Sequence, residues 1–215
     1  MKYLSVMVIV LSLSACVQTQ TAMTAYDKGK RAFAASDYKT AFRHWKPLAE
    51  AGDRDAQYML GAMYGKGYGF EKKETTALKW FCRAAVQGQT SAMNNIGYLY
   101  SNGQQLERDS REAIIWYLRA AGLGNAAGQL NVGVRYLRGT NVPKDVGKAY
   151  MWLVLSHKHA SDLDHEAALL MSEAEEILTP DQIAAAEHAA KAWKPASFTD
   201  AMAKRIRASK ACVQG

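Results

Sequence analysis

The chain has only 4 prolines and 3 cysteines in 215 residues. So few prolines exclude a collagen-like or proline-rich chain, and so few cysteines exclude a disulfide-dense scaffold. Membrane-spanning bundles are excluded by a mean hydropathy of −0.24. The N-terminal apolar run, Tyr3 to Leu13, is too short for a transmembrane helix. A broad basic field is also missing. The formal net charge is +7, but residues 191–215 alone hold Lys191, Lys194, Lys204, Arg205, Arg207 and Lys210 against Asp200. Lys2 adds one more, and the remaining chain is nearly neutral. Nucleic-acid binding through a global basic surface is therefore not expected. No nucleophile elbow or metal-ligand spacing is present, and Gly65-Lys66-Gly67-Tyr68-Gly69 follows no strand, so it is not a phosphate loop. What remains, 49% hydrophobic and 22% charged residues, is the composition of a globular protein.

Met1-Lys2, the apolar stretch to Leu13 and then Leu13-Ser14-Ala15-Cys16 together resemble a bacterial lipoprotein signal. That resemblance implies a signal peptide over 1–15, lipidation of Cys16 and a linker over 16–25. Val17, in place of an Asp, implies the outer membrane and a location on the periplasmic face of the envelope. Several acyl chains on one Cys would anchor the protein stably. The alternative is a plain secretory signal cut near Ala22, giving a soluble periplasmic or secreted protein.

A fixed period decides the fold class. Trp80, Trp116 and Trp152 are each 36 residues apart, and Trp45 lies 35 before the first. Gly61, Gly97 and Gly133 keep the same step, as do Tyr64, Tyr100 and Tyr136, and also Ala41, Ala77, Ala113 and Ala149. In each unit Ala56, Met59, Leu60, Met63, Tyr64 and their counterparts form one helical apolar stripe. Gly61 inside that stripe is expected to allow close helix approach. Gly67, Gly103 and Gly139 are expected in the loop with positive φ. Asp109 and Glu112 predict a cap on the second helix, which Gly122 or Gly124 ends, while Lys73 leaves the preceding unit without one.

These columns resemble the Sel1-like repeat (SLR) family, a relative of the tetratricopeptide repeat. Its unit is similar to Ile96-Gly97, Tyr100, Gly103, Leu106, Asp109, Ala113, Trp116, Ala120-Ala121, Gly124. The resemblance implies an all-α, right-handed solenoid of helix pairs over 26–160, with a short first pair at 26–52 and repeats at about 53–88, 89–124 and 125–160. Thr179-Pro180-Asp181-Gln182 predicts a helix start, so 161–193 is expected to form a two-helix C-terminal cap, followed by a basic tail at 194–215. Some cysteine-rich family members have been linked to β-lactam binding. Their paired cysteines within each unit are missing here, so that property does not carry over.

Candidate chemistry is sparse. Ser36-Asp37-Tyr38-Lys39 matches S-x-x-K without a companion K-T-G or S-D-N and reads as a polar turn. His157, His159, Asp162, Asp164 and His165 form the densest set of metal-ligand types. His157 and His159 are two apart, about 200° on a helix, so the cluster reads as a polar interhelix turn. Cys82 shares a column with Leu118 and Val154 and reads as a small core residue; an oxidising periplasm leaves a Cys82–Cys212 bridge open, which a helix-interior place in a core column disfavours. No cofactor, metal or catalytic residue is expected. The resemblance places the solenoid's concave face on the first helix of each pair, whose exposed stripe is expected to bind a protein or peptide through Tyr58, Lys66, Asn94, Tyr98, Asn102, Leu130, Val134 and Arg138, with Ala62 among them. Two other readings stay open: an envelope protein acting through its basic tail, and a metal-binding or enzymatic protein using His157, His159 and His165.

Overall fold

The computed structural model describes residues 23–159 and 164–214. Cys16, Asp162 and the signal region lie outside the described residues. The described chain is helical, with no strand. In chain order the helices are α1 Ala25–Ala34, α2 Tyr38–Glu50, α3 Arg54–Lys66, α4 Glu74–Ala85, α5 Thr90–Asn102, α6 Ser110–Gly122, α7 Ala126–Arg138, α8 Val146–His159, α9 Asp164–Glu175, α10 Pro180–Ala192, α11 Asp200–Arg207 and α12 Lys210–Gln214. No described helix is long and apolar enough to cross a membrane.

Each pair is held by the repeating columns. A β-carbon added at Gly61 would lie 2.5 Å from the Phe81 ring, one at Gly97 2.8 Å from Tyr117, and one at Gly133 2.9 Å from Leu153. The missing side chain therefore lets the second helix of each pair lie against the first. Ala41, Ala77, Ala113 and Ala149 are fully buried in the same seams. Trp45 and Trp116 are completely buried, whereas Trp80 and Trp152 are half-buried. Trp152 packs edge-on against Trp193 at 5.9 Å.

Helix starts follow the polar columns. Asp53 and Asn125 accept the N–H groups of Ala56 and Gly128, and Asp109 accepts those of Arg111 and Glu112. Lys73 makes no side-chain cap. Thr179 and Gln182 form the reciprocal capping box with Pro180 at the first position. Gly67 and Gly139 are left-handed, at φ +74° and +69°. Gly103 departs from this expectation, at φ −58° and ψ 148°. Its constraint is space: an added β-carbon would lie 2.4 Å from the Leu99 carbonyl oxygen and 3.0 Å from Glu74 Oε2.

Two features past the repeats reshape the solenoid. Helix α9 packs on α7 and α8, so Leu130 is only 6% exposed, buried with Leu153 and Ala167. Beyond α10 the chain turns back and runs over the second helices toward the N-terminus. Pro195 sits on Gly124, the Ala196 N–H donates to the Gly122 carbonyl at 2.9 Å, and Phe198 covers Gly88. Ile206 and Ala211 then enter the central core. This strap ends in a disulfide between Cys212 and Cys82, with Cα atoms 5.4 Å apart. Cys82 is thus not a free core residue as its column suggested. The column lies on the outward side of the second helices, where Leu118 is 38% exposed, and Cys82 is buried because the strap covers it.

Candidate functional site

The expected binding stripe divides into three parts. Leu130 lies under α9, and Val134 is half-buried. Arg138 is exposed but forms a bidentate pair with Glu173 of α9, one arm at 2.7 Å. The third repeat's share of the face is therefore occupied by the cap. In the middle, Asn94 accepts from Asn131 Nδ2 at 3.1 Å, a polar bridge between α5 and α7. The open part lies between α3 and α5, where Lys66, Tyr98 and Asn102 come together around a cavity of about 290 Å³.

The floor of this groove is apolar, from Phe81 and Leu99. Above the Phe81 ring, itself 3% exposed, α3 presents the small residues Gly61 and Gly65 one turn apart, with Ala62 beside them. Tyr98 is 47% exposed, a large aromatic left uncovered at the rim. Lys66 Nζ lies 5.2 Å from its ring centroid, a cation–π contact. Tyr58 lies behind the rim, half-buried, with its ring 6.0 Å from Phe81. Burial pushes its phenol pKa up, and a hydrogen bond with Asn95 partly offsets this.

One end of the groove is closed by a residue that sequence reasoning missed. Glu74 is 1% exposed. Its Oε2 accepts the N–H groups of Gln104 at 2.8 Å and Gln105 at 2.7 Å, and its Oε1 pairs with Lys72 at 2.6 Å. Burial raises its pKa, but the Lys72 ammonium and the two backbone donors outweigh burial and hold the carboxyl below its usual range. The signal was a break in the period: Ser110 and Val146 occupy the matching positions of the next two units.

The other candidates do not assemble. Asp37 caps α2 through the Thr40 N–H, so the Ser36–Lys39 string is a helix start at a turn. Among the described residues, no three metal-ligand side chains converge. His159 Nδ1 is 3.3 Å from Gln129 Oε1, and its ring lies against Trp193 at 6.4 Å. His157 and His165 are exposed.

Comparisons with known proteins agree with this architecture. The Sel1 repeat model matches residues 18–53, 54–89, 90–125 and 126–156. No curated protein matches. Among solved structures, a Sel1 repeat protein from Oxalobacter formigenes is 28% identical, with a TM-score of 0.53 over 61% of this chain and 97% of that one. The protein c5321, a protective antigen present in uropathogenic Escherichia coli strains and displaying an SLR fold, is 22% identical with a TM-score of 0.54. It covers 94% of this chain, which spans 51% of that protein. Four matched repeats and an all-α solenoid of paired helices place the chain in the Sel1 repeat family, to which it belongs.

Proposed function

We propose that this protein is a non-catalytic interaction module of the cell envelope, tethered through lipidated Cys16, that receives an extended polypeptide segment in the groove between α3 and α5. The supporting observation is the uncovered Tyr98, with Lys66 over its ring and an apolar floor of Phe81 and Leu99 beneath. Sel1 repeats serve as protein–protein interaction modules. A rigid aromatic beside an apolar pocket is the arrangement that dominates binding energy at interfaces. The polar rim of Lys66 and Asn102 supplies a donor cation and an amide for a peptide backbone or carboxylate.

The test is a paired substitution. Tyr98→Ala with Asn102→Ala removes two exposed groups of the groove rim without emptying the core. It is expected to leave the melting temperature nearly unchanged and to weaken a partner recovered from envelope extracts by about 2 kcal/mol or more. Undiminished binding by a folded double variant contradicts the groove. The tether has its own test: Cys16→Ser is expected to abolish lipidation, and a variant that still fractionates with outer membranes after a salt wash contradicts it.

A further inference from the structure

The strap lays its arginines beside those of the repeats. Arg83 stacks on Trp80, its guanidinium carbon 4.6 Å from the ring centroid, and Arg119, 36 residues on, stacks on Trp116 at 4.5 Å. Arg83, Lys79 and Arg207 of the strap line one cavity of about 530 Å³, floored by Cys82, Cys212 and Val86, with no carboxylate in its wall. Arg119, on α6, lies outside this cavity but also feels the strap's charge. Among the described residues its buried Nη1 has no hydrogen-bond partner. Its pKa is lowered first by burial, and Arg205 of the strap lowers it further against the opposing pull of Glu112.

Like charges facing one another across a seam repel. The fold nevertheless brings them together covalently, since Cys212 is bonded to the helix that carries Lys79 and Arg83. Stacking holds the Arg83 fork in one plane on Trp80, so its donors are pre-positioned. A guanidinium fork of this kind matches the oxygens of a phosphate group in two parallel hydrogen bonds. Lys79 adds a compact point charge. The strap contributes the cation from the opposite wall, so a bound anion would be gripped from two chain segments.

We propose that the seam between α4 and the strap binds a phosphate-bearing anion, with Arg83, Lys79 and Arg207 as its ligating cations and the Cys82–Cys212 disulfide as the link that assembles it. This site lies on the outward side of the second helices and is independent of the groove at Tyr98. Its ligand is either a soluble phosphoanion or the phosphate of a lipid headgroup.

The test uses the full oxidised chain and two probes. Inorganic pyrophosphate is titrated by calorimetry, and sedimentation with phosphatidylglycerol vesicles is compared with phosphatidylcholine vesicles. Pyrophosphate binding identifies a soluble source, and phosphatidylglycerol-selective sedimentation identifies a lipid source. Either signal is expected to fall by about tenfold or more in Arg83→Gln and in Arg207→Gln, since each removes charge-assisted hydrogen bonds. Both residues are exposed, so melting temperatures are expected to stay at the wild-type value. Cys212→Ser is expected to weaken binding as well, and binding at wild-type strength overturns the assembling role of the disulfide. Absence of both signals, or signals untouched by the two arginine variants, overturns the site.

Discussion

Glu74 and Gln105 exchange hydrogen bonds across the boundary of two repeats. The Glu74 carboxylate accepts the Gln105 N–H at 2.7 Å, and the Gln105 side chain accepts the Glu74 N–H at 2.9 Å. Gln105 Nε2 also donates to the Lys72 carbonyl at 3.1 Å. The loop after α3 is thus tied to the loop after α5, which fixes the end wall of the groove.

This tie predicts a pH dependence. The folded-state pKa of Glu74 is depressed, so its contribution is present above the unfolded value of about 4.3 and is lost as pH falls through the folded value. Glu74→Gln is expected to cost about 1.5–3 kcal/mol at neutral pH, the range for hydrogen bonds to a charged group. In thermal melts, the gap between wild type and Glu74→Gln should close as pH drops below about 4.3. A gap that stays constant into the acid range contradicts the role given to this carboxylate.

The strap predicts a redox-dependent stability. Cys82 and Cys212 are separated by 130 residues. Closing a loop of that length removes about 4–5 kcal/mol of unfolded-state freedom in the chain-entropy account. Reduction is expected to lower the melting temperature by on the order of 10 °C for a chain this size. A melt indifferent to reductant contradicts a bridge in the folded protein.

The repeat core predicts a third outcome. Trp116 is fully buried in the central unit. Trp116→Ala should cost about 3–5 kcal/mol, as other large aromatic truncations do. Far-UV dichroism should retain a helical spectrum at low temperature while the melt shifts down. A melt equal to wild type would place Trp116 outside the core.

The architecture was legible in the sequence because each helix pair solves the same local problem. Gly61, Gly97 and Gly133 stand where Phe81, Tyr117 and Leu153 must approach, and a repeated contact leaves a repeated letter. The cap was legible at Thr179-Pro180-Asp181-Gln182 for the same reason: capping is local. What was not legible depends on contacts made once. Leu130 shares its phase with Tyr58 and Asn94, but α9 covers only the last unit. Cys82 shares its phase with Leu118 and Val154, but the strap reaches only as far as α4. Gly103 keeps its column yet not its φ, because Glu74 occurs in one repeat alone. Within the stripe expected to bind, periodicity gave the helical phase; the non-repeating segments decided which part of it stays open.

Tyr98 and Tyr100 separate the two faces of α5. Tyr98 is 47% exposed and Tyr100 is 5% exposed. Tyr98→Ala should therefore leave stability close to wild type, while Tyr100→Ala should lower the melting temperature clearly. The reverse order would mean that groove and core are exchanged on this helix.

The most direct test of the account is site-specific photocrosslinking in intact envelopes, with a benzoyl-bearing aromatic placed at position 98 and, as the comparison, at Leu169, which is 59% exposed on the cap. The account predicts one discrete polypeptide adduct from position 98, lost when Lys66→Ala and Asn102→Ala are added, and none from position 169. No adduct from position 98, or the same adducts from both positions, would contradict the groove between α3 and α5 as the binding site.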